Sequence, residues 1–300
     1  MFRVTADQAD RRLDRVLRSM YGDVPLSAIM KAIRKGAVRV NGGRKDGSYR
    51  LAELDEVFVP WQDGEQEKAP PVKGRAIPAK LEALLKTNDL WCVDKPAGLL
   101  SQPDTKGGDS VITRAWATLK WDREDFKPAI VNRLDRNVSG VTVIALSYPT
   151  LRTLSALIRD REVRKIYRAI VSGHPQSCGE IDIPILKDER KNKVTASEEG
   201  LPALSRYKLL KSRRDYSLVE IELVTGRPHQ ARFHMASIGY PVLGDLKYGP
   251  ADNYRRGEKR IFLHAYSLTF PDASELTDDI RGVTITSPMP DVFNRFDNAG

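Results

Sequence analysis

The 300-residue sequence predicts an α+β protein in two folded parts. The first is a small basic module with a helix pair and short strands, and the second a larger domain on a mixed, mainly antiparallel sheet. Three observations lead there. Apolar residues repeat at helical spacing twice within the first 35 positions. Beyond position 87, strand-like runs outnumber helical ones and do not alternate with them regularly, which argues against a doubly wound parallel sheet. Between the two parts lies a polar, Pro-containing stretch without period, residues 61–86, which reads as a tether.

In the head, residues 1–60, Leu13, Val16, Leu17 and Met20 fall at i, i+3, i+4 and i+7, and Leu26, Ile29, Met30 and Ile33 repeat that spacing after a break containing Gly22 and Pro25. Two short amphipathic helices follow. Gly36 stands where a helix end wants a left-handed residue, Ala37–Val40 reads as a strand entering the Asn41-Gly42 turn, and Glu56–Val59 reads as its partner. With the apolar stripes buried, Arg11, Arg12, Arg15, Arg18, Lys31, Arg34, Lys35 and Arg39 are expected to face outward.

In the large domain, residues 87–270, strands are expected at Leu90–Lys95, Val141–Leu146, Lys165–Val171, Leu204–Leu210, Leu218–Val224 and Ile261–Phe270. Helices are expected at Ser110–Leu119, Pro149–Arg159 and Gln230–Ile238, the last opened by Pro228 and closed by Gly239. Residues 271–300 read as an acidic tail.

Composition narrows the class. Apolar residues make up 41% and charged residues 30%, and no apolar run approaches the ~18 residues that span a bilayer, so membrane insertion is excluded and a globular chain expected. No secretory signal is visible at the N-terminus, which makes the cytoplasm the expected compartment. Two cysteines, Cys92 and Cys178, are too few for a disulfide scaffold or a four-ligand zinc site, and both read as buried thiols. Residues 11–50 hold eleven Lys or Arg against three Asp or Glu, in a chain of net charge +9. A polyanionic partner fits that asymmetry, although a basic run alone is equally compatible with a solvated face. A G-x-G-x-x-G turn and a Walker loop are absent, and nothing points to a nucleotide cofactor or a metal.

Three clusters carry chemistry. In Asn132-Arg133-Leu134-Asp135-Arg136 a carboxylate sits between two arginines, just before Ser139-Gly140 and a β-branched strand. Neighbouring cations favour the ionised carboxylate, which on a rigid turn can serve as nucleophile or base. In Lys165–Ala169 strand period puts Lys165, Tyr167 and Ala169 on one face, where a tyrosine among cations suits stacking on a nucleobase. In Gly226-Arg227-Pro228-His229-Gln230-Ala231-Arg232 a strand ends and a helix begins, and Arg227, His229 and Arg232 add charge or donors beside a helix N-terminus. His229 and His234 are five apart with no glutamate general base between them, which does not support zinc-protease chemistry.

Two resemblances tie these readings together. Gly36-Ala37-Val38-Arg39-Val40-Asn41-Gly42, after a helix pair, resembles the strand and turn of the S4 RNA-binding domain. Lys95-Pro96-Ala97-Gly98, Asn132 to Asp135 with Ser139-Gly140, Lys165 to Ala169, Gly226 to Arg232, and Gly244-Asp245 with Tyr248-Gly249 resemble, in order and spacing, the RluA-type pseudouridine synthases, several of which carry an S4 domain. That resemblance implies an RNA pseudouridine synthase needing no cofactor, acting on RNA of the 23S ribosomal type, with a monomer expected. It implies catalytic roles for Asp135, Tyr167 and Arg232, and substrate contacts from Asn132, Arg133, Lys165, Arg227 and His229. Arg133 would replace the flipped uridine, and Arg232 would pair with Asp135. RNA contacts from Arg11, Arg12, Arg15, Lys31, Arg34, Lys35 and Arg39 would follow from the S4 likeness. The sequence departs from the family pattern at Asn132, Val138 and Pro228, where His, Thr and Thr are common. Two rivals compete with this reading: a non-catalytic RNA-binding or ribosome-assembly protein on the same fold, and a glycoside hydrolase, which would need a second carboxyl that no motif supplies.

Overall fold

The computed structural model describes residues 1–22, 24–61, 80–104, 108–121, 125–250 and 260–294. The head comprises β1 (Phe2–Arg3), α1 (Leu13–Met20), α2 (Leu26–Lys35), β2 (Arg39–Val40) and β3 (Glu56–Phe58), its strands ordered β1-β3-β2 and antiparallel. Both helices form where the apolar stripes lie. Leu13, Val16 and Leu17 of α1 meet Ile29 and Ile33 of α2 over Val38, Val40 and Val57. Gly36 caps α2 in the left-handed region, returning its N–H to the carbonyls of Ala32 and Ile33.

The second part comprises β4 (Glu82–Lys86), β5 (Leu90–Lys95), α3 (Val111–Leu119), β6 (Ala129–Ile130), β7 (Ser139–Ala145), α4 (Tyr148–Arg159), β8 (Arg164–Ser172), β9 (Cys178–Asp182), β10 (Ile185–Asp188), β11 (Lys193–Ala196), β12 (Leu204–Ser212), β13 (Tyr216–Leu223), α5 (Gln230–Ser237), β14 (Leu263–Thr269), β15 (Thr284–Thr286) and α6 (Asp291–Asn294). Among the described residues the main sheet runs β4-β5-β7-β14-β8-β13-β12-β9, with β6 on β7 and β15 on β14. Its pairings are antiparallel except β7 with β14. β10 and β11 form a separate hairpin.

The parallel join depends on one residue. Gly140 has φ +118, and a Cβ there would run into the backbone of Ala265, its partner on β14. Only glycine combines that dihedral with that approach. The join lines up a row across the sheet, Lys95 opposite Gly140, Gly140 opposite Ala265, Ala265 opposite Tyr167, and Tyr167 opposite Ile221. Residues of the Lys95, Asp135 and Tyr167 motifs are thereby brought into register from three distant stretches of chain.

The sheet extends past residues 87–270 on both sides. β4 lies inside the stretch expected as tether, of which residues 62–79 fall outside the described residues. Its few residues of amphipathic pattern are too short to stand out from the polar run before them. The acidic tail is likewise part of the domain. Leu276, Ile280 and Ile285 pack with Leu154 and Leu157 of α4 and with Leu90, Val141 and Phe270, and Ser287 Oγ donates to Asp94 Oδ1 at 2.9 Å. Its acids line the surface while its apolar residues enter the core. Cys92 is buried, its thiol pushed up to about 12 by burial, but Cys178 is exposed at the edge strand β9, contrary to expectation.

A polar seam joins the head to the larger domain. Asp7, buried, accepts the N–H of Tyr148 at the first turn of α4 at 2.7 Å, Thr5 Oγ donates to Asp125 Oδ2 at 3.0 Å, and Arg152 pairs with Asp10. Arg11 donates to the Asp125 carbonyl at 2.9 Å with its guanidinium 5.2 Å from the Tyr148 ring centre. Arg11 therefore belongs to this seam and not to the outward basic face expected for it.

His264 of β14 is fully buried beside the join. Ser139 Oγ accepts a hydrogen bond from Arg260 at 3.0 Å and lies 2.9 Å from His264 Nδ1; His264 Nε2 faces the Ser287 carbonyl at 3.5 Å, an acceptor only, so the ring proton sits on Nε2 and the Ser139 hydroxyl donates to Nδ1. Burial pushes the His264 pKa down to about 4 from 6.5, the nearby Arg260 and Arg168 adding to it while the Ser287 carbonyl opposes. A histidine that binds its proton less readily when folded leaves the unfolded state with more protons between pH 6.5 and 4. Stability from this group is whole above pH 6.5 and falls as the pH drops toward 4, by about 3 kcal/mol at ~1.36 kcal/mol per unit. Urea unfolding at pH 7 and pH 4.5 should show this fall in the wild type and a smaller one in His264→Gln; parallel losses in both proteins would assign the acid sensitivity elsewhere.

Candidate active site

Asp135 sits on a turn held from both sides. Leu134, before it, is buried in the core under β8 and β13, and its N–H and carbonyl both bond Ser101 Oγ, at 3.0 and 2.9 Å. Arg136, after it, exchanges bonds with Gly98: the Gly98 N–H donates to the Arg136 carbonyl at 2.8 Å and Arg136 Nε to the Gly98 carbonyl at 3.0 Å. Beneath them Lys95 is wholly buried and donates its three ammonium protons to the carbonyls of Pro96, Arg136 and Val138, at 3.0, 3.1 and 2.6 Å. Burial pushes its pKa down to about 7, against the pull of Asp135 and Asp94. The Lys-Pro-Ala-Gly stretch is thus a strap that fixes the backbone of the Asp135 turn.

The cation facing Asp135 comes from neither flanking arginine. Arg136 is turned to Gly98, and Arg133 is exposed without a hydrogen bond or ion pair among the described residues. Instead Arg232, from the first turn of α5, donates Nη1 to Asp135 Oδ2 at 2.7 Å. Its Nε and Nη2 form a fork on Asp245, at 2.7 and 2.9 Å. Asp245 has no exposed surface, and Gly244 before it has φ +79 with the Arg260 carbonyl where a Cβ would stand, so the backbone there admits only glycine. Burial works to lower the Arg232 pKa, but hydrogen bonds and charge from Asp245 and Asp135 outweigh it and raise the value, so the guanidinium stays charged.

The turn into α5 is set by Gln230, which is buried with all four hydrogen-bonding positions used. Its Oε1 accepts from Thr225 Oγ1 and the Arg227 N–H at 2.7 and 3.0 Å, and its Nε2 donates to the Leu204 carbonyl and Ser205 Oγ at 2.9 and 3.0 Å. The helix starts at Gln230, two residues after Pro228, because His229 adopts φ +53. That left-handed conformation is unfavourable for a residue with a Cβ. It carries His229 Nε2 to 3.8 Å from Asp135 Oδ2. His234 faces away, bonded to Ser205 Oγ and the Ile183 carbonyl, and holds structure.

Tyr167 is partly buried on β8 and packs against the same core as Leu134. Burial, and then the charge of Asp135, raise its pKa, so its hydroxyl keeps its proton at neutral pH. Lys247 and Tyr248 also feel Asp135. Among the described residues no group of three or more His, Cys, Asp or Glu is placed to hold a metal.

The expected site residues therefore divide. Asp135, Tyr167, Arg232 and His229 converge, and Arg133 stands exposed on the same turn. Asn132 does not face the site: its Oδ1 accepts from the Val143 N–H at 2.7 Å and its Nδ2 donates to the Val141 carbonyl at 3.0 Å, so it stands in for a strand neighbour of β7. Arg227 is fastened to the Pro202 carbonyl at 3.0 Å. Lys165, though buried, responds to burial and to Arg161 and lies beside Gly226. Lys95, Asp245 and Tyr248 stand in the motifs that carry the resemblance, but their residue types alone assign them no role, and Ser101 stands in no motif. A buried lysine and a buried aspartate give no local signal, because their partners lie far away along the chain.

A sequence profile described as RNA pseudouridylate synthase matches residues 89–237, and one described as S4 domain matches residues 11–57. A relative named ribosomal large subunit pseudouridine synthase C, from Vibrio cholerae, is 34% identical, the match covering 89% of this chain and 87% of the relative. One of the same name from Escherichia coli strain K12 is 32% identical over 97% of this chain and 93% of its own. The chain belongs to the RNA pseudouridylate synthase family.

The fold agrees. Human RNA Pseudouridylate Synthase Domain Containing 4 superposes with a TM-score of 0.59 at 24% identity, over 71% of this chain and 90% of that one, and Human RNA Pseudouridylate Synthase Domain Containing 1 with a TM-score of 0.55 at 22% identity, over 74% and 96%. This synthase is an isomerase whose substrate is RNA, and no helix among its described residues is long and apolar enough to cross a membrane.

The S4 module offers a basic face. Arg15, Lys31, Arg34, Lys35 and Arg39 are exposed, whereas Arg12, also exposed, is forked onto Asp14 at 3.1 and 2.7 Å and so is part-neutralised. Beside α2 a cleft of about 580 Å³ is lined by Arg34, Arg44, Lys45 and Tyr49, with Lys45 Nζ 4.6 Å from the Tyr49 ring centre. Arg44 and Lys45 follow the Asn41-Gly42 turn and extend the face beyond the cations expected to form it.

Lys95→Met should test the strap. It keeps most of the side-chain length, removes the ammonium from the carbonyls of Pro96 and Val138, and leaves the Arg136 carbonyl with the Gly98 N–H alone, with an expected loss of about 2–4 kcal/mol. A denaturant midpoint unchanged from the wild type would show that the ammonium does not hold the Asp135 turn.

Proposed function

We propose that this enzyme converts uridine to pseudouridine in large-subunit ribosomal RNA, with Asp135 as the reacting carboxylate. The observation that carries the reading is Asp135 held at 2.7 Å by Arg232 on a turn strapped from both sides. The relatives' printed name supports the choice of RNA.

The isomerisation breaks the bond from uracil N1 to C1′, turns the ring, joins C5 to C1′ and releases the C5 proton while N1 takes one up from solvent. No electrons are gained or lost, and one carboxylate can serve as nucleophile at C1′ or as the base that helps detach the uracil. Asp135 is about one-third exposed at its side chain, so substrate can reach it, while Arg232 is nearly covered and keeps its orientation. In this reading Tyr167 lies against the base. Because its hydroxyl holds its proton, it can pass on the C5 proton only by giving up its own in the same step. A target uridine must first leave its stack, at a cost of a few kcal/mol. Arg133, exposed on the Asp135 turn, is free to enter the vacated position.

The S4 module's exposed cations would grip phosphates around the target. Because that module is seated against α4 and the Asp125 segment by Asp7, Asp10 and Arg11, the grip and the site keep a set spacing, which favours a structured target over an arbitrary strand.

Large-subunit ribosomal RNA carrying tritium at uridine C5 tests the reading. Wild type is expected to release tritium, and Asp135→Ala to release none while binding the RNA within a few-fold of wild type. Release by Asp135→Ala at the wild-type rate would remove the aspartate from the chemistry; release from transfer RNA but not ribosomal RNA would change the substrate. In the S4 module, Arg34→Ala with Lys45→Ala should weaken RNA binding and flatten the dependence of log affinity on log salt by about 0.7–0.9 for each phosphate no longer neutralised. An unaltered slope would place the phosphate-binding cations elsewhere.

A further inference from the structure

Tyr248 lies outside the sequence-expected site, yet it touches three parts of it. Its hydroxyl accepts the N–H of Val194, on β11, at 2.9 Å, and lies 2.7 Å from Nδ1 of His229. Its ring has the Arg232 guanidinium 5.2 Å from its centre and meets the His229 imidazole edge-on at 5.7 Å. The neighbouring Lys247 donates Nζ to the Asn192 carbonyl at 2.7 Å, so the β10–β11 hairpin holds this segment at two points.

The proton count at that hydroxyl is limited. A phenol has one proton to give, and its acceptor capacity toward Val194 is already used. Among the described residues, His229 Nδ1 is the acceptor within reach of the remaining proton. The reverse arrangement, with the proton on Nδ1, would leave the phenol proton without a partner. It would also aim the Nε2 lone pair at the Asp135 carboxylate, 3.8 Å away. Two like-signed electron pairs facing each other in a nearly covered site is the worse choice, since the His229 side chain is only 9% exposed.

We propose that Tyr248 is a positioning residue that locks His229 as an uncharged imidazole with its proton on Nε2, directed at Asp135. The proposal rests on the reading of Asp135 as the reacting group. Asp135 then receives a charged partner on one side, Arg232, and a neutral donor on the other. A second full positive charge would hold the carboxylate in place and blunt it as a nucleophile. A neutral donor can instead close on the oxygen that carries charge at each stage. The groups facing His229 are Asp135 and Asp245, which favour its protonation, and Arg232 and Lys247, which oppose it together with burial, and its pKa is lowered. The left-handed backbone at His229 is the strain accepted to bring the ring there.

The test uses the full chain labelled with ¹⁵N-histidine, and tritium release from ribosomal RNA. Long-range ¹H–¹⁵N spectra distinguish the two tautomers, and the spectrum of His229→Gln identifies the His229 signals. Wild type should show the Nε2–H form at neutral pH. Tyr248→Phe, which keeps the ring and removes the hydroxyl, should show a mixture of tautomers and lower kcat about tenfold, with KM for RNA within twofold. His229→Gln, whose amide can still offer a donor toward Asp135, should retain more activity than His229→Leu. An Nδ1–H or charged imidazole in the wild type overturns the proposal. So does a Tyr248→Phe protein with an unchanged tautomer, or with a changed tautomer and an unchanged kcat. The spectra do not depend on turnover, so a wild type that releases no tritium would sink the reading of Asp135 while still reporting the state of His229.

Discussion

The arrangement depends on one guanidinium shared between two carboxylates. Arg232 gives its fork to Asp245, which has no access to water, and its remaining terminal nitrogen to Asp135, which does. A buried aspartate is tolerated only when paired, and a bidentate arginine satisfies both its oxygens with fixed geometry. The fork sets the plane of the guanidinium, and that plane sets where Asp135 must lie. One positive charge between two negative ones also leaves the trio with net negative charge, so the exposed carboxylate is oriented without being neutralised. That is the condition a nucleophile needs.

Orientation of the carboxylate is half of the problem, and the turn that carries it is the other half. A turn on its own has little to stop it moving, but here each residue next to Asp135 is bonded to the 95–101 strap, and Leu134 is anchored in the core. Lys95 extends the anchoring inward by giving all three protons to backbone carbonyls, two of them on the Asp135 turn. A surface lysine could not do this, because water would compete for the same donors. The register row through Gly140 then fixes the distance from this strap to Tyr167 on β8. Local bonds hold the turn, and the sheet relates it to Tyr167.

Much of the framework was legible because its signals are local. The apolar stripes of α1 and α2, the β-branched run of β7 and the strict alternation of β13 decide their own structures, and β5 falls where its run of apolar residues ends at Lys95-Pro96. What was not legible is what long-range contact decides. The short strands β4, β9, β10, β11 and β15 carry mixed polar patterns and form because a neighbouring edge is available. Arg11 reads as one more outward cation until Asp125 and Tyr148 are brought beside it. Asn132 reads as a substrate contact by position, but its amide has both a donor and an acceptor and matches the two free backbone groups of β7. Arg133 and Arg136 flank Asp135 in sequence, yet neighbours along an extended or turning chain point different ways, and the cation that reaches the carboxylate lies 97 positions on.

The same distinction sorts the basic head. Its positive charge is not all available to RNA, because Arg11 is engaged in the seam and Arg12 with Asp14. The cations left exposed lie on α2, on β2 and around the cleft after the Asn41-Gly42 turn, together with Arg15 and Arg18 on α1. Meanwhile the acids that face the head's inner side, Asp7 and Asp10, are the ones that meet the N-terminus of α4 and Arg152. A helix N-terminus carries partial positive charge, so an acid there is stabilised and an RNA phosphate is kept from competing for it. Charge in the S4 module is therefore sorted by position, with Asp7, Asp10 and Arg11 turned inward to the enzyme and the cations of α2 and the cleft left outward. A net-charge count could not show that, since it adds together the cations engaged within the protein and those left exposed.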